Sequence, residues 1–133
     1  AYGMEVAMKR IEIGVGRGSE AMAQFARTWQ RASRGERLPQ ATPHLDFTSL
    51  AELHGALTAK RLALLDTLAG QPGLSIRALA GKLGRDYKNV HGDVSVLIEL
   101  GLIERRADGT LKAPYDELVV RVPLTAAGRR HAA

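Results

Sequence analysis

Apolar side chains recur with the 3.6-residue period of an α-helix in three consecutive segments of the chain. In the first, residues 58–69, Thr58 is placed as the N-cap and the apolar stripe consists of Leu62, Leu65, Leu68 and Ala69. In the second, Ser75 is placed as the N-cap of a stripe formed by Ile76, Leu79, Ala80 and Leu83. Gly84 follows that stripe, and glycine ends helices because it adopts a left-handed conformation without steric cost. The pattern therefore predicts two helices and a stop at Gly84.

A third helix is predicted over residues 86–100, with Asp86 as its N-cap. Its inward stripe is Val90, Val94, Leu97 and Ile98. Gly101 ends this helix, and Leu102 is placed to fold back on it as the hydrophobic partner of a glycine C-cap. Three helices of this size are expected to share one core.

A β-hairpin is predicted directly after the third helix. Ile103–Arg106 and Thr110–Ala113 flank Asp108 and Gly109, a dipeptide favoured in two-residue turns because both residues tolerate a positive φ. Pro114 lacks a backbone donor and is expected to end the second strand. Two helices joined by a tight turn and followed by a hairpin form a winged helix-turn-helix, whose second helix fits the major groove of DNA.

The remaining segments predict strands at both ends of the chain. Residues 9–15 alternate, with Ile11, Ile13 and Val15 on one face, and Leu118–Val122 is the natural partner for such a strand. After the first strand, a helix is predicted from Ser19 to about Ser33, with the apolar stripe Met22, Phe25, Ala26 and Trp29. A polar linker over 34–43 and an extended piece at His44–Phe47 follow. A capping box at Ser49–Glu52 then opens a short helix into Leu57.

These elements predict an α+β protein in three parts. Residues 1–43 form an N-terminal strand-helix extension and a linker, residues 44–124 form the winged helix-turn-helix with flanking strands, and residues 125–133 are expected to be a disordered tail. The apolar stripe of the 19–33 helix either packs within the fold or forms a surface for a partner helix.

The outer face of the 86–100 helix is polar and rich in hydrogen-bond donors. A helical wheel places Lys88, Gly92, Ser95 and Glu99 opposite the core, with Tyr87 and His91 on one shoulder and Asn89 on the other. Asparagine pairs with adenine through two hydrogen bonds, while Lys88 or Arg85 is suited to a guanine or a phosphate. The pattern predicts binding to double-stranded DNA, although a winged helix also serves as a plain protein-protein module.

Charge supports a polyanionic partner to a moderate degree. The 133-residue chain has a formal net charge of +5, with 45% hydrophobic and 25% charged residues, as expected of one soluble domain. Residues 75–112 hold seven basic against five acidic residues, and residues 17–37 hold five against two.

The run LGRDYKNVHGDVSVLIELGLIERR, followed by Pro114–Glu117 and a valine-rich strand, resembles small winged-helix transcriptional regulators of archaea and bacteria that are loosely MarR-like. The resemblance covers about residues 45–124 and is strongest over 83–106. Relatives of this kind are often encoded beside a toxin gene, so the resemblance implies an antitoxin that represses its own operon. Gly92 departs from the pattern, in which a larger polar or basic side chain is more common.

Together, the pattern and the resemblance predict a sequence-specific regulator, an autorepressor that binds a palindromic operator as a homodimer. The alternative is an interaction protein that sequesters a partner, such as a toxin, through its N-terminal strand and helix. The predicted DNA contacts are Arg85, Tyr87, Lys88, Asn89, His91 and Ser95 of the helix, and Arg105, Arg106 and Lys112 of the hairpin.

Other chemistry is not favoured by the sequence. The loop Gly14–Ser19 lacks the lysine of a P-loop, and Glu20 would repel a phosphate there. The four histidines are scattered, cysteine is absent, and no serine has a nearby histidine and acid, so we expect neither an enzyme nor a metal or cofactor. The chain has no apolar run of membrane length and no signal-peptide pattern in residues 1–7, which predicts a cytoplasmic protein.

Overall fold

The computed structural model describes residues 8–16, 34–35, 43–125 and 127–128. Its elements are the strands β1 (Arg10–Val15) and β2 (His44–Phe47), then the helices α1 (Leu50–Ala56), α2 (Ala59–Gly70), α3 (Ile76–Leu83) and α4 (Tyr87–Glu99), and finally the strands β3 (Glu104–Arg105), β4 (Leu111–Lys112) and β5 (Glu117–Val120). The predicted α+β class is confirmed. The predicted helix over 19–33 lies outside the described residues, as do most of the linker and the tail.

The chain divides into two compact units, of which the first contains His54–Glu117 and the second contains β1, β2 and the residues after Glu117. In the second unit, β1 pairs with β2 in parallel, with Ile13 opposite Leu45 and Val15 opposite Phe47. The sheet order is β2-β1-β5, so strands from the two ends of the sequence lie side by side, as predicted.

The alternating pattern of β1 gives this sheet its buried face. Ile11 and Ile13 are buried together with Phe47 of β2, and Leu53 of α1 is buried as well. The amide of Glu52 donates to the Ser49 hydroxyl at 3.1 Å, as a capping box requires. The Glu52 carboxylate, however, accepts from the amide and hydroxyl of Thr48 instead of the Ser49 amide.

In the first unit the predicted helix caps are confirmed. The hydroxyls of Thr58 and Ser75 accept from the amides of Arg61 and Ala78, and the Asp86 carboxylate accepts from the amide of Asn89. Gly84 adopts the left-handed conformation with φ 63°, and the amide after it, that of Arg85, donates back to the Ala80 carbonyl. Only residues 84–86 therefore separate α3 from α4, which fixes a tight helix-turn-helix.

The apolar stripe predicted for the 58–69 helix is partly wrong. Leu65 and Leu68 are buried, but Leu64 takes the third core position, while Leu62 is 42% exposed and Ala69 is exposed. The true stripe is Arg61, Leu64, Leu65 and Leu68, at the spacing i, i+3, i+4 and i+7. Because the first residue of this stripe is charged, a search for apolar residues at helical spacing did not include it.

The core of the unit is aliphatic. Val90, Val94 and Leu97 of α4 are fully buried, and Leu102 packs back after Gly101 with its amide donating to the Leu97 carbonyl at 2.9 Å. Complete burial of each such side chain contributes roughly 1.5–3 kcal/mol, so α4 is held firmly by its inner face.

The hairpin after α4 forms as predicted, but its turn has three residues instead of two. The Arg106 amide donates to the Thr110 carbonyl at 2.8 Å, and the Gly109 amide donates to the Arg106 carbonyl at 2.9 Å. Gly109 has φ 86°, whereas no described residue other than glycine has a positive φ. A turn closed by one left-handed glycine gives a three-residue loop, Ala107 to Gly109, and Asp108 does not need the unusual φ.

Candidate nucleic-acid interface

The polar face of α4 is open to solvent along its whole length. On the side of α4 opposite the buried valines and Leu97, every residue predicted to be polar and outward-facing is exposed. These residues are Tyr87, Lys88, Asn89, His91, Gly92, Ser95 and Glu99. The helix-turn-helix supplies the rigid support for this face, because the opposite face is locked in the aliphatic core. We refer to the exposed side chains of Lys88, Asn89, His91 and Ser95 as the polar face.

Asn89 lies in the first turn of α4. Its backbone amide is used by the Asp86 cap, at 3.3 Å, while its side-chain amide makes no hydrogen bond to another described residue. The Ser95 hydroxyl donates to the His91 carbonyl at 2.9 Å, one turn earlier, and its oxygen keeps its acceptor capacity. The first turn of the helix therefore presents a carboxamide that is both exposed and uncommitted among the described residues.

Arg85, one of the predicted DNA contacts, is committed within the protein. Its Nη2 donates to Oδ2 of Asp93 at 2.8 Å, whereas Nη1 is buried and has no hydrogen-bond partner among the described residues. The Arg85 side chain is only 20% exposed. Arg85 therefore lies against Asp93 and is not part of the polar face, and its contact with DNA stays a prediction.

Asp93 joins two arginines from different parts of the unit. Its Oδ1 accepts from Nε of Arg61 at 3.0 Å, and Nη1 of Arg61 donates to the carbonyls of Gly55 and Ala56 at 3.1 and 3.0 Å. This Arg61–Asp93–Arg85 cluster links the end of α1, the start of α2, the turn before α4 and α4 itself. Burial alone would raise the pKa of Asp93, but the hydrogen bonds and charges of Arg85 and Arg61 outweigh it and hold that pKa below the ordinary aspartate value.

One side of the helix-turn-helix carries three neighbouring side chains, those of Arg77, Tyr87 and His91. The guanidinium carbon of Arg77, on α3, lies 5.2 Å from the centre of the Tyr87 ring. The rings of Tyr87 and His91 have their centres 5.9 Å apart and are tilted by 45°. Arg77 was not among the DNA contacts predicted from the sequence, because those were sought at the second helix of the pair and on the hairpin. Its place directly after Ile76, a core position of α3, is the feature of the sequence that could have indicated an exposed arginine here.

The basic residues of the hairpin differ in their exposure to solvent. Arg105 and Arg106 are exposed, whereas Lys112 is half-buried and stands opposite Glu104 in the β3-β4 register. A carboxylate directly across the strand offsets part of the Lys112 charge. At the loop, hydrogen bonds from Thr110 lower the pKa of the Asp108 carboxyl.

A histidine lies close to a carboxylate in the described part of the chain. His44 lies 3.5 Å from Glu12 in the sheet, and among the described residues no three potential ligands are close enough to hold a metal ion. None of the described helices has the length and apolar character needed to cross a membrane.

Comparison with known proteins adds two likenesses. Residues 56–120, just under half of the chain, match the model of a family described as HVO_A0114. A solved structure of the multiple antibiotic-resistance repressor (MarR) from Listeria monocytogenes 4b F2365 is 26% identical over 72% of this chain, with a TM-score of 0.41. The aligned part spans only 63% of the repressor's length. No curated protein matches the chain.

Proposed function

We propose that this protein is a transcriptional regulator that binds double-stranded DNA in a sequence-specific manner. The observation that carries the proposal is the build of α4: a short turn precedes the helix, its inner face is buried, and its first turn exposes Lys88 and the uncommitted carboxamide of Asn89. In helix-turn-helix proteins the side chains at the start of the second helix contact base edges in the major groove.

The roles follow from side-chain chemistry. Asn89 is assigned to an adenine, with which a carboxamide makes two hydrogen bonds, and Lys88 to a guanine or a neighbouring phosphate. His91 and Ser95 continue the polar face along the groove. Arg105 and Arg106 of the hairpin are assigned to the adjacent phosphate backbone, and Lys112 contributes less because it faces Glu104.

We also propose that two copies bind together and that the operator lies upstream of the protein's own gene. A single module of this size covers few base pairs, whereas a dimer with its α4 helices about one helical turn apart would recognise a palindrome with both copies. Such an operator would make the protein an autorepressor.

The test is fluorescence anisotropy with the DNA upstream of the gene and a scrambled duplex of the same composition, at about 50 and 200 mM salt. We expect the upstream duplex to be preferred by about 10³ or more, a preference that persists at the higher salt, with two chains bound per site. Equal and salt-sensitive binding to both duplexes would contradict sequence specificity, and no binding would contradict the function itself.

Gly92 provides a smaller prediction that links stability to DNA approach. A Cβ at this position would meet no described atom within 4 Å apart from the backbone of α4 itself, so Gly92→Ala is expected to stabilise α4 by about 1 kcal/mol, measured by urea denaturation. If the DNA backbone approaches α4 at Gly92, the same variant will bind the upstream duplex more weakly although it is more stable. Gly81→Ala is the matched control, because Gly81 is also helical with open space around it but lies on α3. A loss of stability in Gly92→Ala would contradict the prediction.

The alternative function, capture of a protein such as a toxin, depends on the 19–33 helix together with β1. That helix lies outside the described residues, and none of the described contacts favours this function over DNA binding. It stays a prediction from the sequence.

A further inference from the structure

The arginines around the helix-turn-helix differ in how their charge is balanced. Arg61 and Arg85 each donate to the Asp93 carboxylate, so one negative charge offsets part of both. Arg77 makes no ion pair with any described residue and rests instead against the face of the Tyr87 ring, at 5.2 Å. An aromatic ring orients a guanidinium without neutralising it, so Arg77 keeps its full charge in a fixed place.

The position of Arg77 suits a DNA strand. It lies in the first turn of α3, the helix that crosses the sugar-phosphate backbone in helix-turn-helix complexes, while Tyr87 is the first residue of α4. Both residues are exposed, and Tyr87 is 44% accessible. The His91 ring, one turn later on α4, has its centre 5.9 Å from that of the Tyr87 ring.

We infer that Arg77 contacts a DNA phosphate at the edge of the major groove and that the Tyr87 ring is the platform that holds it there. The inference rests on the proposed DNA-binding function and names a contact outside the polar face. It also gives Tyr87 a positioning role, in place of the direct DNA contact expected from its location on the helix.

The salt dependence of binding measures this contact. Each phosphate neutralised by a cation contributes about 0.9 to the slope of log affinity against log salt, so Arg77→Gln should reduce that slope by about 0.9. Arg77→Lys keeps the charge and should restore the slope. Lys82→Gln is the matched control, because it removes one exposed positive charge from the same helix but about 140° around it, and should leave the slope unchanged.

The platform is tested separately with Tyr87→Leu, which removes the ring and leaves Arg77 in place. We expect affinity to fall about two- to fivefold with little change of slope, because the charge remains while its orientation is lost. Thermal melting of each variant accompanies the titrations, since a purely structural role would change melting without changing the slope.

The outcomes separate the two proposals. If the wild-type chain binds DNA and Arg77→Gln has the wild-type slope, the phosphate contact is overturned while DNA binding stands. If Tyr87→Leu binds as well as wild type, the platform role is overturned. If the wild-type chain binds neither duplex, the proposed function fails and the Arg77 contact fails with it.

Discussion

Asp93→Asn is expected to lower the free energy of unfolding by about 2–4 kcal/mol. The Asp93, Arg61 and Arg85 side chains are only 16%, 19% and 20% exposed, so removal of the one carboxylate leaves two poorly hydrated guanidinium groups without their counter-charge. Loss of one partner of a buried ion pair costs about 3–5 kcal/mol, and the remaining exposure here reduces that figure. Urea denaturation of the purified chain measures the effect.

Asp66→Asn is the matched control for this variant. Asp66 is exposed on α2 and makes no ion pair with another described residue, so the same chemical change should cost no more than about 0.5 kcal/mol. Equal stabilities for the two variants would show that the Arg61–Asp93–Arg85 cluster does not hold the unit together.

The same carboxylate makes stability depend on pH. Its pKa is lower in the folded chain than the value of about 3.9 that aspartate has when unfolded, so the unfolded state binds the proton more tightly. The stabilisation is therefore complete above about pH 5 and is lost as the pH falls through the unfolded and then the folded pKa. Asp108 also has a lowered pKa and is common to both proteins, so the difference between wild type and Asp93→Asn isolates the part due to Asp93.

The helices could be located from the sequence because the features that begin and end them involve residues close together in the chain. A helix cap is a contact between residues three positions apart, so Thr58, Ser75 and Asp86 could each be recognised from their own neighbourhood. The left-handed turn at Gly84 is local in the same sense. The helix-turn-helix was therefore predictable before any tertiary contact was known.

The incorrect predictions, those of the α2 stripe and of the hairpin loop length, concern features that depend on contacts outside the local sequence. Arg61 lies on the inner face of α2, where it donates to Asp93, 32 residues later, and on this face Leu64 is buried instead of Leu62. The DNA contact of Arg85 stays a prediction, but its hydrogen bond to Asp93 could not be recognised from the sequence. The sequence Asp108-Gly109 suits hairpin loops of two or three residues, and the pairing of Arg106 with Thr110 selects the longer one.

Asn89→Ala is expected to relax base preference on DNA while leaving the fold intact. The side chain is exposed and makes no hydrogen bond with another described residue, and alanine favours a helix more than asparagine does, so thermal melting should not fall. If the carboxamide pairs with an adenine, its loss costs about 1–3 kcal/mol on the preferred duplex, or roughly 5- to 150-fold in affinity. On a duplex in which that adenine is already replaced, the variant and the wild type should bind alike.

Two comparison variants give this result its meaning. Arg105→Ala on the hairpin should weaken binding to every duplex by a similar factor, because a phosphate contact carries no sequence information. Glu99→Ala, at the far end of α4, changes another exposed polar residue and should leave base preference unaltered. If Asn89→Ala instead behaves like Arg105→Ala, the first turn of α4 contacts only the backbone. Specificity would then have to come from later positions on the helix or from the shape of the DNA, since α4 would no longer be docked with its first turn against the bases.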